Sequence, residues 1–176
     1  ILGQTQNGSV AQQNPIQLGN AWFVSELLTV ADQNKEILAL KELNGDSLAI
    51  ITKDQKELIG LKKTNKDTTS SITLTDYKTE ELTYTSTNSH DGLAVFSEMY
   101  YPYGWTATID GKEVPIARVN YALRGLKVPA GQHEIVFKFV PGVVKTGSTI
   151  MLLSNILLLL VVLGGLIFMF KRKQSL

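Results

Sequence analysis

The stretch Trp105 to Val119 reads WTATIDGKEVPIARV. Two short β-prone segments meet at Asp110-Gly111, and a two-residue type I′ connection demands positive φ, which glycine adopts at little steric cost. A hairpin is expected here, with Pro115 near a sheet edge, where its missing N–H does least damage. Working outward, the same texture recurs in SITLTDY (71–77), ELTYTST (81–87), GLAVFSEMYY (92–101), LKVPAG (126–131) and HEIVFKFV (133–140). Ile72 and Leu74 alternate with Thr73 and Thr75, and Ile135, Phe137 and Phe139 alternate with Val136, Lys138 and Val140. That period of two belongs to half-buried strands, and a series of such strands separated by turn signals predicts an antiparallel β-sandwich over 72–145.

Upstream the texture changes. AWFVSELLTV (21–30) and SLAIIT (47–52) are apolar and β-prone, while DQNKEILALKELNG (32–45) between them carries Ile37, Leu40 and Leu43 on one helical face. Asp32 or Asn34 supplies an N-cap and Asn44-Gly45 a stop. Residues 20–60 therefore read as a strand-helix-strand unit. The polar run 1–19 and the charged run 61–71 read as linkers. The expected class is mainly β (α+β), with a sandwich preceded by this unit and followed by one apolar helix.

That last element is IMLLSNILLLLVVLGGLIFMF, Ile150 to Phe170, which holds no charge. A helix of 21 residues is about 32 Å long, which matches a hydrocarbon core of about 30 Å. A transmembrane span over 150–170 follows, and the lipid bilayer becomes a partner. Lys171, Arg172 and Lys173 come directly after it, and clustered basic residues favour the cytoplasmic side. The tail 171–176 is expected in the cytoplasm and the bulk of the chain outside it. Gly164-Gly165 offers a place for a neighbouring helix to approach. The chain opens ILGQTQNGSV without a basic and apolar leader, so export requires a removed signal or earlier membrane helices ahead of Ile1.

Composition excludes several classes. Three of the 17 basic residues sit in the tail, leaving 14 against 16 acidic ones in residues 1–149. A nucleic-acid partner needs concentrated positive charge, which this part lacks. The chain has no cysteine, so disulfides, thiolate metal sites and cysteine nucleophiles are out. His90 and His133 lie far apart without ligand spacing. No metal site, no cofactor and no catalytic residue is assigned.

The candidate ligand-binding residues are Glu98, Tyr100, Tyr101, Trp105, Asn120, Tyr121 and Arg124. Glu98 alternates with Ala94, Phe96 and Tyr100 on an apolar strand face, so it requires a partner, and Arg124 is the one expected. That pair reads either as a register-fixing ion pair or as the polar floor of an aromatic ligand site. The rings of Tyr100, Tyr101, Trp105 and Tyr121, with Asn120 beside them, suit stacking on sugars or filling a core, and Tyr101, Tyr103 and Trp105 also suit lipid headgroups.

Tyr100-Tyr101-Pro102, Gly104-Trp105, Asp110-Gly111-Lys112, Asn120-Tyr121, Leu123-Arg124-Gly125 and Pro129-Ala130-Gly131 with His133, followed by a span ending in basic residues, form an ordered series. It resembles the C-terminal end of YfhO-family bacterial membrane proteins of the Bacteroidetes type. Tyr103 departs from the family pattern. The resemblance implies a polytopic protein with upstream transmembrane helices in the bacterial inner membrane, similar in layout to glycosyltransferases that use lipid-linked sugars on cell-envelope polymers. In that layout this chain is a non-catalytic extracytoplasmic accessory domain, with glycan or lipid-linked sugar as a partner. The alternative is a surface module anchored by one span that binds glycan or a partner protein. Many spans ahead of Ile1 favour the first, a lone signal peptide the second.

Overall fold

A computed structural model describes residues 2–5, 8–11, 17–61, 63–66 and 69–174. The chain divides into two compact units, Ile1–Phe139 and Val140–Leu176.

In the first unit, β1 (Leu2–Thr5) and β2 (Gly8–Ala11) pair as a small antiparallel hairpin. The polar run expected to be a linker thus carries strands, because backbone pairing needs no hydrophobic pattern. β3 (Ala21–Val24) and β4 (Glu26–Val30) are separated by Ser25. α1 (Gln33–Ala39) runs into a 3₁₀ turn at Leu40–Glu42, and the Asp32 side chain caps it by accepting from Lys35 N at 2.9 Å. β5 (Leu48–Thr52) then pairs parallel with β4. The long apolar segment 21–30 is therefore two strands with different partners, since β3 pairs with a strand of the sandwich instead.

α2 (Lys53–Leu58) follows. Beyond it the charged run 61–71 read as a linker is tied down, with Leu61 and Thr64 buried. Thr64 Oγ1 donates to Val24 O at 2.8 Å and accepts from Leu93 N at 2.9 Å. Two buried residues among polar and charged neighbours leave no periodic signal, which is why the segment reads as a loop.

The sandwich strands are β6 (Ser71–Lys78), β7 (Glu81–Asn88), β8 (Gly92–Met99), β9 (Trp105–Ile109), β10 (Lys112–Val114), β11 (Ala117–Val119), β12 (Leu123–Val128) and β13 (Gly131–Phe139). They form a five-stranded antiparallel sheet, β10-β9-β13-β7-β6, and a four-stranded one, β11-β12-β8-β3. The expected Asp110-Gly111 hairpin is present, with φ 50° at Asp110 and 76° at Gly111. Pro115 and Ile116 then carry the chain from the edge of one sheet to the edge of the other.

Phe23, Ala94, Phe96, Leu126 and Val128 of the four-stranded sheet pack on Leu82, Tyr84, Ala107, Ile109, Ile135 and Phe137 of the other. Tyr84, Phe96 and Phe137 meet edge to face with centroids 4.8 to 6.0 Å apart, a geometry the aromatic quadrupole favours. Leu93, Val95, Ala117 and Val119 point the other way into a second cluster with Val24, Ala49, Ile51, Ile59 and Leu61. The four-stranded sheet is therefore covered on both faces, which explains the unbroken apolar run of β8.

The second unit holds α3 (Gly142–Gln174). Gly142–Gly165 is long and apolar enough to cross a membrane, with mean hydropathy 2.2. Ser154 Oγ donates to Ile150 O at 2.9 Å, so the hydroxyl is satisfied within the helix. Ser175 and Leu176, the end of the expected tail, lie outside the described residues.

Candidate functional site

Arg124 occupies a position on β12 directly across from Phe96 of β8, beside a register shift at Leu123/Arg124. Its side chain enters the space between the two sheets and is 3% exposed. The guanidinium carbon lies 4.1 Å from the Trp105 ring centroid and 5.3 Å from that of Phe137, and Nε donates to Met99 O at 3.0 Å. Nη1 is buried with no protein acceptor, and so is the Tyr84 hydroxyl. A desolvated cation over a ring face gains about 2 kcal/mol or more, which offsets part of its burial.

The expected ion pair between Glu98 and Arg124 is not formed. Glu98 acts at longer range, opposing the downward push of burial on the Arg124 guanidinium. Burial pushes the Tyr84 phenol up to about 12, with the Glu98 charge adding to it. The rings of Trp105 and Phe137 take the place the acid was expected to fill. Next door, Gly125 permits β11 and β12 to pack, because a Cβ there would lie 2.8 Å from Val119 Cγ1.

Tyr100, Tyr101 and Trp105 line one cleft of about 180 Å³ together with Pro102, Glu113 and Pro115. Tyr101 is half exposed and packs edge to face on Tyr103 at 5.5 Å, so the residue that departs from the family pattern is a neighbour of the site. Trp105 therefore serves twice, lining the cleft and stacking on Arg124.

Asn120 and Tyr121 belong elsewhere. They form the β11–β12 turn with φ 49° and 70°, and Asn120 Oδ1 accepts from Ile50 N at 2.8 Å while Asn120 N donates to Ile50 O at 2.8 Å. Tyr121 N donates to Glu36 Oε1 at 2.9 Å. Glu36 is fully buried and takes a second bond from Arg118 Nη2 at 2.9 Å. The helix face expected to bury Ile37 thus buries Glu36, while Ile37 is exposed. Gln55 Oε1 adds a bond from Arg118 N at 2.8 Å. Glu36 and Arg118 carry no sequence motif, and an acid one position ahead of the apolar face was the one available hint.

A third polar cluster sits at the Asp110-Gly111 turn. His133 Nδ1 lies 2.6 Å from Asp110 Oδ2 and its Nε2 lies 3.2 Å from Ala130 O. Both ring nitrogens face acceptors, so the imidazolium satisfies both. The Asp110 hydrogen bond raises the His133 imidazole above its ordinary range, and His133 in turn holds the Asp110 carboxyl below its own.

Against known proteins, the family model described as "Bacterial membrane protein YfhO" matches residues 7–151. No curated protein and no solved structure matches the chain.

Proposed function

The chain belongs to the YfhO family of bacterial membrane proteins, and from that premise we propose that it is a non-catalytic, extracytoplasmic accessory domain of a polytopic membrane glycosyltransferase. The whole protein takes a lipid-linked sugar and passes it to a cell-envelope polymer, and α3 anchors this domain in the inner membrane with its C-terminus in the cytoplasm. The observation that carries the binding role is the cleft walled by Tyr100, Tyr101 and Trp105. Ring faces of this kind stack on the apolar faces of sugars. Glu113 is the one carboxylate in that lining, whereas glycoside chemistry in its common form asks for two across the bond. The cleft therefore holds and orients a glycan while the chemistry proceeds elsewhere in the protein.

The test pairs two preparations. The full-length protein in membranes, given a radiolabelled polyprenyl-phosphate sugar, is expected to label envelope polymer, and residues 1–176 alone are expected not to. Transfer by the fragment overturns the accessory role. In the full-length protein Tyr101→Ala is expected to raise the acceptor KM by about tenfold at unchanged kcat, the loss of one good stacking contact. A fall in kcat alone overturns the binding role. Cysteines at Ser89 and Ser175 check topology, since an impermeant thiol reagent in intact cells is expected to label the first and spare the second.

A further inference from the structure

The two ends of the sandwich differ in kind. At one end Trp105 pairs with Phe139, Glu81 pairs with both Lys138 and Lys78, and Met99 pairs with Leu123. The Arg124 stack on Trp105 brings the Met99/Leu123 end of one sheet to the Trp105/Phe139 end of the other. This end exposes Met99 and Tyr103 by more than 70% and Tyr77 by 66%, with Tyr101 half exposed beside them. Its lysines are matched locally, Lys78 with Asp76 and Glu81, and Lys138 with Glu81, while Glu80 and Glu98 add further acid. The opposite end, made of the turns at His90-Asp91, Asp110-Gly111 and Pro129-Ala130, exposes no large apolar side chain among the described residues.

The aromatic end is also the end at which the chain leaves for the membrane. Phe139 is the last residue of β13 and Gly142 the first of α3. Three peptide steps span at most about 11 Å. The 33 residues of α3 measure about 50 Å at 1.5 Å per residue, enough to cross the core and both headgroup layers of a bilayer about 40–45 Å thick. Only Val140 and Pro141 separate the last strand from the helix, so the aromatic end is the end of the sandwich tethered next to the span.

We propose that this end of the sandwich is a membrane-docking surface, with Tyr103, Tyr77 and Met99 set into the headgroup layer of the bilayer that α3 crosses. Tyr is enriched at that depth because the ring is apolar and the hydroxyl is wet. With both lysines paired to carboxylates and further acid at Glu80 and Glu98, the surface carries an acidic excess that disfavours anionic lipid and fits neutral lipid. This goes beyond a glycan cleft and stands whether or not the whole protein transfers sugar.

Residues 1–176 hold no cysteine, and any cysteine elsewhere in the full-length protein is first replaced by serine so that each label is single. Tyr103→Cys, Tyr77→Cys and Lys112→Cys, each carrying an environment-sensitive fluorophore, are reconstituted as the full-length protein in phosphatidylcholine nanodiscs with and without headgroup spin-labelled lipid. The expected result is blue-shifted, quenched emission at 103 and 77 and neither change at 112, with the pattern kept when anionic lipid replaces part of the neutral lipid. Equal quenching at 103 and 112 means a freely tumbling domain and overturns the proposal. An unquenched 103 overturns it as well, because protein then covers the rings in place of lipid. Quenching at 103 that appears only with anionic lipid overturns the neutral-lipid assignment.

Discussion

Arg118 and Arg124 are cross-strand partners in the β11–β12 hairpin, yet their surroundings have nothing in common. Like charges set opposite each other destabilise a strand pair, and the fold separates them by sending each side chain to a different host. Arg118 meets the carboxylate of Glu36, which is itself bonded to the Tyr121 amide. Among the described residues Arg124 meets no acid; it lies on Trp105 and Phe137 with Nη1 unbonded. The first arrangement is a weld between the α1 layer and the sandwich. The second is a cation held by rings, and the ring that holds it also lines the cleft. A single hairpin thus serves fixation on one strand and the shape of the cleft wall on the other.

The contrast predicts opposite outcomes for the same substitution. Arg118→Met leaves Glu36 buried and unpaired, so unfolding is expected to ease by about 3–5 kcal/mol, the cost of breaking a buried pair from one side. Adding Glu36→Leu to that variant is expected to recover much of the loss, because the uncompensated charge is gone. Urea midpoints of the single and double variants give the comparison. If the double variant is as weak as the single one, the pair is not the source of the stability.

Arg124→Met is expected to change stability far less, within about 1 kcal/mol of the parent and in the stabilising direction, since an apolar side chain of similar volume replaces a buried guanidinium with an unmet donor. Trp105 loses its cation, so its fluorescence shifts while the urea midpoint holds. A loss as large as that of Arg118→Met would erase the distinction drawn between the two arginines.

The two sites were also unequally legible in the sequence. The turn at Asp110-Gly111, the alternation of β6 and β13 and the apolar span are local features, encoded within a few residues of where they act. Glu98 was recognisable as an ion on an apolar strand face, with Arg124 as the expected partner. Which group would meet Arg124 was not readable, because Trp105 and Phe137 come from strands of the other sheet and nothing marks a ring as a cation's host. The weld left only one hint, the acid at Glu36 one position ahead of the apolar face. Arg118 and Tyr121 meet Glu36 across separations of 82 and 85 residues, and Thr64 reaches Val24 and Leu93 across 40 and 29. Asn120 was read for its amide chemistry, whereas its place is set by a left-handed turn, a conformation that Asn tolerates better than most residues. Local pattern therefore yields the layers of this fold, and the side chains that join the layers appear only once the chain is closed.

The exposed counterpart of these buried sites is the His133–Asp110 pair, and it sets the lower bound of the comparison. His133 is raised by Asp110, so its contribution is complete below the ordinary imidazole value of 6.5 and fades as pH rises through the raised one. Asp110 is lowered, by the His133 hydrogen bond first and the Glu134 amide next, so its contribution is complete above 3.8 and fades as pH falls through the lowered value. The pair thus stabilises the turn most between those two limits, in mildly acidic solution. Its carboxylate is solvent-facing, with a side chain 52% exposed, and exposed pairs contribute little. Melting curves of the parent and of His133→Gln across that range are expected to converge at alkaline pH and to separate by a small margin in the acidic window. A separation that grows towards alkaline pH would mean that the neutral ring, bonded to Ala130, is the form that holds the turn. The order of effects would then still run from the sealed ion pair through the ring-held cation to the surface turn, with the sign reversed at its weakest member.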